Sequence, residues 1–188
     1  MEAFFVSALL VAISEIGDKT QLLSLILAAR FRRPVPIILG ILTATLANHA
    51  LAGLVGEWVR GAVSPQVLRW ALGVSFLAIA AWALVPDKLD DDPSPKGRYG
   101  VFLVTVLAFF LAEMGDKTQV ATVMLAAKYH ALVSVVAGTT LGMMVADVPA
   151  VLLGKASSPK LPFKLVRIIA AGLFALLGIA ALLGLPGI

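Results

Sequence analysis

Two copies of one polar block lie inside long apolar runs of this 188-residue sequence. The first copy is Ser14-Glu15-Ile16-Gly17-Asp18-Lys19-Thr20-Gln21, and the second is Ala112-Glu113-Met114-Gly115-Asp116-Lys117-Thr118-Gln119. A charged side chain near the middle of a bilayer costs about 2.5–3.5 kcal/mol even on the scale of membrane insertion. Two blocks that share the pattern E-x-G-D-K-T-Q at such a depth therefore predict a functional site.

The chemistry that this pattern predicts is the binding of a cation. The candidate ligands are the four motif carboxylates, Glu15, Asp18, Glu113 and Asp116. Together with the ammonium groups of Lys19 and Lys117 they leave two net negative charges if all are ionised, which is unfavourable in a low-dielectric core. A divalent cation would cancel this charge. Protons would also do so, because burial and crowding favour the neutral carboxylic acid. Exchange of a metal ion for protons is therefore the expected reaction.

On a continuous helix, Glu15, Asp18 and Lys19 would share one face, and so would their counterparts in the second copy. The glycine within each block, Gly17 or Gly115, permits either a close helix approach or a local break whose unwound turn frees backbone carbonyls as ligands. The lysines would pair with the carboxylates in an empty site, or extend to the membrane interface. A self-neutralising packing device is the alternative interpretation, and a repeated carboxylate pair fits it poorly.

Neutral and single charged groups near the blocks are predicted to complete the site. They are Thr20, Gln21, Thr118 and Gln119 within the blocks, and Asn48, His49 and Asp147 in later apolar runs. Pro149 removes a backbone hydrogen bond close to Asp147, which favours a place for this acid in the cation pathway. A lone histidine in a helix is more often hydrogen-bonded structure than a ligand. An amide such as Asn48 also serves to hold membrane helices together.

The composition indicates a polytopic membrane protein, with 60% hydrophobic residues, 14% charged residues and a mean hydropathy of +0.99. The absence of cysteine excludes disulfides and thiolate metal sites, so oxygen or histidine nitrogen must hold any metal, which favours hard cations. The net charge of +4 is expected in loops facing the cytoplasm and lipid headgroups, with no nucleic-acid partner. The first residues lack a basic signal-peptide region, so the first helix is predicted to be retained.

The apolar runs predict an all-α protein with six transmembrane helices of roughly 20 residues or more. Their approximate ranges are 4–30, 36–59, 67–85, 101–127, 132–153 and 165–185. A shift of 98 residues aligns Glu15 with Glu113, Gly40 with Gly138 and His49 with Asp147, without a gap.

This alignment divides the chain into two three-helix repeats, 1–86 and 101–188, joined by a polar linker at 87–100. The linker contains Asp90-Asp91-Asp92 and is interpreted as a solvated connector. An odd number of helices in each repeat gives the halves inverted topology. Many secondary transporters share this plan and bind their substrate at the repeat interface near the membrane midplane.

The basic residues predict the orientation of the chain. Ten lie in segments expected on one face, Arg30, Arg32, Arg33, Lys88, Lys96, Arg98, Lys155, Lys160, Lys164 and Arg167. The other face receives Arg60, Arg69 and Lys128. The face with ten should be cytoplasmic, which places both termini in the periplasm.

With its two E-x-G-D-[KR]-[TS] motifs, one in the first helix of each half, the sequence resembles the manganese/calcium transporter family of Golgi, chloroplast and bacterial membranes. The resemblance covers essentially the whole chain. It implies that Glu15, Asp18, Glu113 and Asp116 bind the cation, and that Gly17, Lys19, Thr20, Gly115, Lys117 and Thr118 complete the motifs. It also implies exchange of Mn²⁺ or Ca²⁺ for protons by a protein that is neither an enzyme nor dependent on a cofactor. A bacterial inner membrane is the expected location.

Other readings stay open at this stage. The same helices could export another small solute such as an amino acid, or form a passive channel. Asp18 and Asp116 could form the catalytic pair of an intramembrane aspartyl protease, but a lysine after each acid would tend to keep it ionised. Oxygen ligands suit Mn²⁺, Ca²⁺ and Mg²⁺ alike, and the sequence specifies no oligomeric state.

Overall fold

The computed structural model describes residues 1–85, 100–154 and 163–184, and all the regular structure in these ranges is helical. The helices are α1 (Glu2–Glu15), α2 (Lys19–Phe31), α3 (Pro34–Ala62), α4 (Pro65–Ala83), α5 (Val101–Glu113), α6 (Lys117–Tyr129), α7 (Leu132–Leu153) and α8 (Phe163–Leu183). The predicted all-α class is therefore confirmed. The predicted linker at 87–100, with its three aspartates, lies outside the described residues except for Gly100.

The two motif-bearing runs are each broken into two helices, so the described residues form eight helices where six were predicted. α1 ends at Glu15 and α2 begins at Lys19, and the same break separates α5 from α6. The cause is the glycine of each motif, whose φ is 83° at Gly17 and 78° at Gly115. Only glycine adopts this left-handed conformation without a steric penalty from Cβ.

This break corrects the expected placement of the motif side chains. Glu15, Asp18 and Lys19 do not share the face of a continuous helix. Glu15 is the last residue of α1, Asp18 is the N-cap of α2, and Lys19 is the first residue of α2. Of the two roles considered for the motif glycine, the local break is the one that the structure has.

Among the described residues, three helices are long and apolar enough to cross a membrane by length and composition, namely Pro34–Ala62, Pro65–Ala83 and Leu132–Leu153. These ranges agree with the predicted helices to within three residues at each end. α1, α2, α5 and α6 have 13 or 14 residues each. Such helices span only about 20 Å, which is less than the hydrocarbon core of a bilayer.

The helix boundaries follow the internal repeat. α2, α3 and α4 begin at Lys19, Pro34 and Pro65, and α6, α7 and α8 begin 98 residues later. The C-cap residues of α2 and α6 are also equivalent. Arg32 and His130 both adopt left-handed φ values, of 53° and 51°. Two non-glycine residues in this conformation at matching positions indicate that both halves fold in the same way.

Helices of each half pack on helices of the other half. α1 packs on α7 and α5 packs on α3, while α2 also contacts α7, α6 also contacts α3, and α4 pairs with α8. Equivalent glycines allow close crossings between the halves. Gly40 of α3 faces the Phe102 carbonyl of α5, and Gly138 of α7 faces the Phe4 carbonyl of α1. A Cβ at Gly138 would collide with the Phe4 carbonyl, and a Cβ at Gly40 would collide with the Thr105 side chain, so small residues at these crossings permit the close approach.

Apolar contacts hold these helices together around the motifs. Phe76 of α4 and Phe174 of α8 stack with their ring centroids 6.3 Å apart, and both are fully buried. A second cluster joins α2, α3 and α5 through Leu27, Ile37 and Phe109. Many large apolar side chains on the outside are exposed, which is expected of a surface in contact with lipid.

Candidate cation site

In each motif the same pair of hydrogen bonds closes the turn between the two short helices. In the first copy the Asp18 amide donates to the Glu15 carbonyl at 3.0 Å, and the Gly17 amide donates to Gln21 Oε1 at 2.8 Å. The second copy repeats both bonds 98 residues later, at 3.1 and 2.6 Å. The two motif glutamines, Gln21 and Gln119, therefore stabilise the turn. Gln21 also donates from Nε2 to the Ala146 carbonyl of α7 at 3.1 Å.

The motif threonines orient the glutamates across the break. Thr20 Oγ1 donates to Glu15 Oε2 at 2.5 Å, and Thr118 Oγ1 donates to Glu113 Oε1. Each threonine lies in the helix after the break and each glutamate ends the helix before it. The second carboxylate oxygen of each glutamate, Glu15 Oε1 and Glu113 Oε2, is buried without a hydrogen-bond partner among the described residues.

Three carboxylates from the two halves meet in the interior. Glu15, Glu113 and Asp116 each place one carboxylate oxygen within 4.8 Å of the others, and none is more than 1% exposed. Like charges this close are unfavourable in a buried site without a compensating cation. Two oxygen ligands, each about 2.0–2.6 Å from one ion, are separated by no more than about 4–5 Å. The cluster thus has the composition and spacing of a site for a hard divalent cation.

The lysines form ion pairs that cross between the halves. Lys117 Nζ donates to Asp18 Oδ1, and Lys19 Nζ lies 3.5 Å from Asp116 Oδ1. The two pairs differ in burial, because the Lys117 side chain is 3% exposed and that of Lys19 is 24% exposed. Both lysines therefore pair with carboxylates in this structure. Asp18 belongs to the Lys117 pair, and the three-carboxylate cluster does not include it.

Three polar residues of α3 and α7, Asn48, His49 and Asp147, are fully buried near the motif helices. Asn48 Nδ2 donates to the Phe110 carbonyl of α5 at 3.1 Å. Asp147 Oδ1 accepts a hydrogen bond from Ser24 Oγ of α2 at 2.7 Å. His49 Nε2 lies 4.0 Å from Glu113 Oε1, which is longer than a hydrogen bond. The structure therefore brings Asn48, His49 and Asp147 next to the motif helices.

Sequence reasoning did not single out Ser24, the partner of Asp147. A signal for it exists in the sequence, because Ser24 lies three and four residues after Gln21 and Thr20 on α2. That spacing places all three polar side chains on one face of an otherwise apolar helix.

A pocket opens next to the first motif and reaches the Asp18–Lys117 pair. Its lining residues are Ser14, Ile16, Gly17, Asp18, Ala83, Lys117 and Ala170. Ala83 belongs to α4 and Ala170 to α8, so the pocket lies between the broken helix and the α4–α8 pair. Among the described residues, none of the three clustered carboxylates lines it.

Comparison with known proteins identifies the family. The profile described as "Divalent cation/proton antiporter GDT1" matches residues 3–91 and 101–186. A protein of Vibrio cholerae serotype O1 named "Putative manganese exporter" is 54% identical over 181 residues, which cover 96% of this chain and 90% of that protein. No solved structure matches the chain.

More distant relatives carry the same family name. GDT1-like protein sll0615 of Synechocystis sp. is 29% identical over 203 residues, covering 96% of this chain and 97% of the relative. GDT1-like protein 3 of Oryza sativa subsp. indica is 28% identical over 200 residues, covering 92% of this chain and 71% of the relative. Since the family profile matches both halves almost completely, the chain belongs to the GDT1 family of divalent cation/proton antiporters.

Proposed function

We propose that this protein exports Mn²⁺ from a bacterial cytoplasm across the inner membrane in exchange for protons, with Ca²⁺ as the second candidate substrate. The observation that carries the proposal is the meeting of Glu15, Glu113 and Asp116 from both halves in one buried cluster. The description of the family supports cation/proton exchange. The name of the Vibrio cholerae relative, which is 54% identical, supports manganese as the metal.

The charge of the cluster gives a physical reason for exchange. A bound divalent cation would neutralise most of the carboxylate charge that the protein buries. When the metal leaves, this charge remains in a low-dielectric interior unless protons replace it. Metal release on one side and proton release on the other would therefore alternate at the same acids. Because the empty site is unfavourable in its charged form, exchange of metal for protons is favoured over transport of the metal alone.

Asp18 is proposed as the fourth ligand. Asp18 is paired with Lys117, and both residues line the pocket next to the first motif. A cation that binds Asp18 would compete with the Lys117 ammonium for this carboxylate. Lys117 and Lys19 act in this mechanism as tethered cations, which hold the two aspartates while the metal is absent.

The membrane arrangement proposed here has six crossings in two inverted halves. α1 with α2, and α5 with α6, would each cross as one broken pair, because the single helices are too short to cross alone. The shared offset of 98 residues and the exchange of packing partners support this plan. The motif turns would then lie within the membrane, where half-helix ends and freed carbonyls serve ions in other transporters.

The test is transport by the purified protein in liposomes, with Mn²⁺, Ca²⁺ and Mg²⁺ supplied in turn. Membrane potential is clamped, and each ion is measured with and without a pH gradient. We expect Mn²⁺ flux that an opposing proton gradient accelerates. An Mn²⁺ flux that does not depend on the pH gradient would contradict antiport. The absence of Mn²⁺ flux would contradict the proposed substrate.

Four variants test the ligands, Glu15→Gln, Asp18→Asn, Glu113→Gln and Asp116→Asn. Each should reduce Mn²⁺ flux by more than about tenfold, the equivalent of about 1.4 kcal/mol, because a carboxylate ligand becomes a neutral amide. Glu57→Gln is the matched control, since Glu57 forms a surface pair with Arg60 on α3 at 3.6 Å. Normal flux in Glu15→Gln and Glu113→Gln would contradict a shared site.

The other readings of the sequence lose support. Members of this family are transporters, so the chain is not an enzyme. The pairing of Asp18 with Lys117, and of Asp116 with Lys19, also differs from a protease pair that shares one proton. An amino-acid exporter would need a partner for the substrate carboxylate, whereas the buried cluster presents carboxylates of its own. The same liposomes loaded with amino acids would test that reading.

A further inference from the structure

His49 is a buried polar side chain that the carboxylate chemistry leaves unexplained. It is fully buried on α3, and neither ring nitrogen has a hydrogen-bond partner within the described part of the chain. Leaving a buried polar atom unsatisfied costs about 1–3 kcal/mol. Its Nε2 lies 4.0 Å from Glu113 Oε1, although His49 is outside the group of three carboxylates whose oxygens lie within 4.8 Å of one another. A cation bound next to Glu113 would satisfy this nitrogen.

We infer that His49 is a nitrogen ligand of the transported cation, and that it makes the site prefer a transition metal such as Mn²⁺ over Ca²⁺ and Mg²⁺. This inference rests on the proposed function. Imidazole nitrogen binds first-row transition metals, whereas Ca²⁺ and Mg²⁺ take oxygen ligands. A nitrogen ligand next to the carboxylates would therefore raise the affinity for Mn²⁺ relative to Ca²⁺ and Mg²⁺, which an all-oxygen cluster does not distinguish by ligand type.

The distance between the two groups suits a shared ion better than a direct bond. At 4.0 Å, His49 Nε2 and Glu113 Oε1 are too far apart for a hydrogen bond. Two ligand atoms that are each about 2.0–2.2 Å from one metal can be separated by up to about 4.4 Å. The neighbouring residue joins the same two helices, because Asn48 Nδ2 donates to the Phe110 carbonyl, three residues before Glu113.

The repeat shows that this nitrogen belongs to one half only. The residue equivalent to His49 in the second half is Asp147, 98 positions later. Asp147 offers oxygen in place of nitrogen, and its Oδ1 already accepts the hydrogen bond from Ser24 at 2.7 Å. The two halves thus differ at one buried position next to the cluster, and this difference supplies the selectivity.

Pulsed electron paramagnetic resonance on the Mn²⁺-loaded native protein is the direct test. Mn²⁺ bound by imidazole should show a hyperfine coupling to ¹⁴N of the ring. The sequence has two histidines, so His49→Gln and His130→Gln assign the coupling. His130→Gln is the matched control, because His130 is exposed at the end of α6 and contacts Arg60. We expect the coupling in the native protein and in His130→Gln, and its loss in His49→Gln.

Competition between metals is the second measurement. In His49→Gln the ratio of Mn²⁺ to Ca²⁺ transport should fall by more than about tenfold, since removal of even an outer-shell group typically costs 10–100-fold in metal affinity. His49→Asp, which copies the second half, should shift the preference further toward Ca²⁺. Equal loss of both ions in His49→Gln would overturn the inferred selectivity.

The outcomes separate this inference from the proposed function. Mn²⁺ transport by a native protein whose bound Mn²⁺ shows no imidazole coupling would overturn the role of His49 and leave the exporter intact. A native protein that does not transport Mn²⁺ would overturn the proposed function itself. If a His49 variant fails to fold, the native protein and His130→Gln together decide, because a coupling that persists in His130→Gln comes from His49.

Discussion

At the scale of single residues, the four motif carboxylates of the candidate site differ in the side chains that they contact. Asp18 is held by Lys117, whereas Glu15, Glu113 and Asp116 face one another with buried oxygens. The two cross-repeat ion pairs are not equivalent, because Lys117 is almost fully buried and Lys19 is partly exposed. Removing one partner from a buried pair costs about 3–5 kcal/mol, since a charge is left uncompensated. In the Lys19–Asp116 pair the two charges are 3.5 Å apart and the ammonium is partly exposed to solvent, which weakens the attraction although Asp116 itself is buried.

This difference predicts unequal effects of two matched substitutions. Lys117→Met should lower the unfolding temperature in detergent more than Lys19→Met, because it removes the hydrogen-bonded pair in which both partners are buried, although each substitution leaves a buried aspartate without its lysine. The double variant Asp18→Asn with Lys117→Met should recover most of the stability, and Lys117→Arg should retain it. Equal shifts for Lys117→Met and Lys19→Met would contradict the asymmetry of the two pairs.

At the scale of secondary structure, the broken helices are the feature that makes the site. The break brings the C-terminal end of one short helix and the N-terminal end of the next to the same point in each half. The negative end of the first helix dipole is favourable for a cation. A glutamine side chain closes each turn, and a glycine with positive φ allows it. The turn therefore depends on one glycine and one glutamine in each half.

Alanine at either motif glycine should damage the site without adding or removing charge. Gly17→Ala and Gly115→Ala force a Cβ into the left-handed region, which costs about 1–2 kcal/mol. We expect a fall in the unfolding temperature of about 2–8 °C for a chain of this size, together with reduced Mn²⁺ flux.

The control for these variants is Gly172→Ala. Gly172 lies on the exposed face of α8, and a Cβ there would meet no heavy atom of the described chain within 4 Å. Alanine should therefore be tolerated or stabilise the helix by about 0.5–1 kcal/mol. A loss of flux in Gly172→Ala as large as that in Gly17→Ala would argue against a specific role for the turn.

At the scale of the whole molecule, two similar halves enclose the site by packing each on the other. Each motif helix of one half packs on a long helix of the other half, α1 on α7 and α5 on α3. The cluster therefore exists only when both halves are folded and docked. Basic residues add a direction to this assembly, because ten are expected on one face and three on the other.

Single-cysteine labelling tests the orientation, since the native chain has no cysteine to remove. Gly61 lies at the exposed end of α3, and the variant Gly61→Cys should react with a membrane-impermeant maleimide added to intact cells. Arg33→Cys lies at the exposed start of α3 and should react only after the membrane is opened. A periplasmic reporter fused after residue 188 should be active. Labelling of Arg33→Cys alone in intact cells would reverse the proposed topology.

The sequence by itself determined the membrane class and the repeat, and it predicted the cation ligands. Apolar runs and charge are local properties, and burying charge in a membrane is so costly that Glu15, Asp18, Glu113 and Asp116 are predicted as functional residues from the sequence alone. The offset of 98 residues also needed no structure, and the helix boundaries follow it. The family resemblance based on the two motifs is confirmed by the matching profile.

Only the tertiary structure decided how the motif residues are arranged. A glycine in a membrane helix either packs closely or breaks the helix, and the surrounding contacts select between the two, so the break at Gly17 could not be read from sequence. The pairing of Asp18 with Lys117 and the approach of His49 to Glu113 join residues 99 and 64 positions apart. Such contacts depend on how helices from different halves pack, and neither composition nor spacing along the chain contains that information.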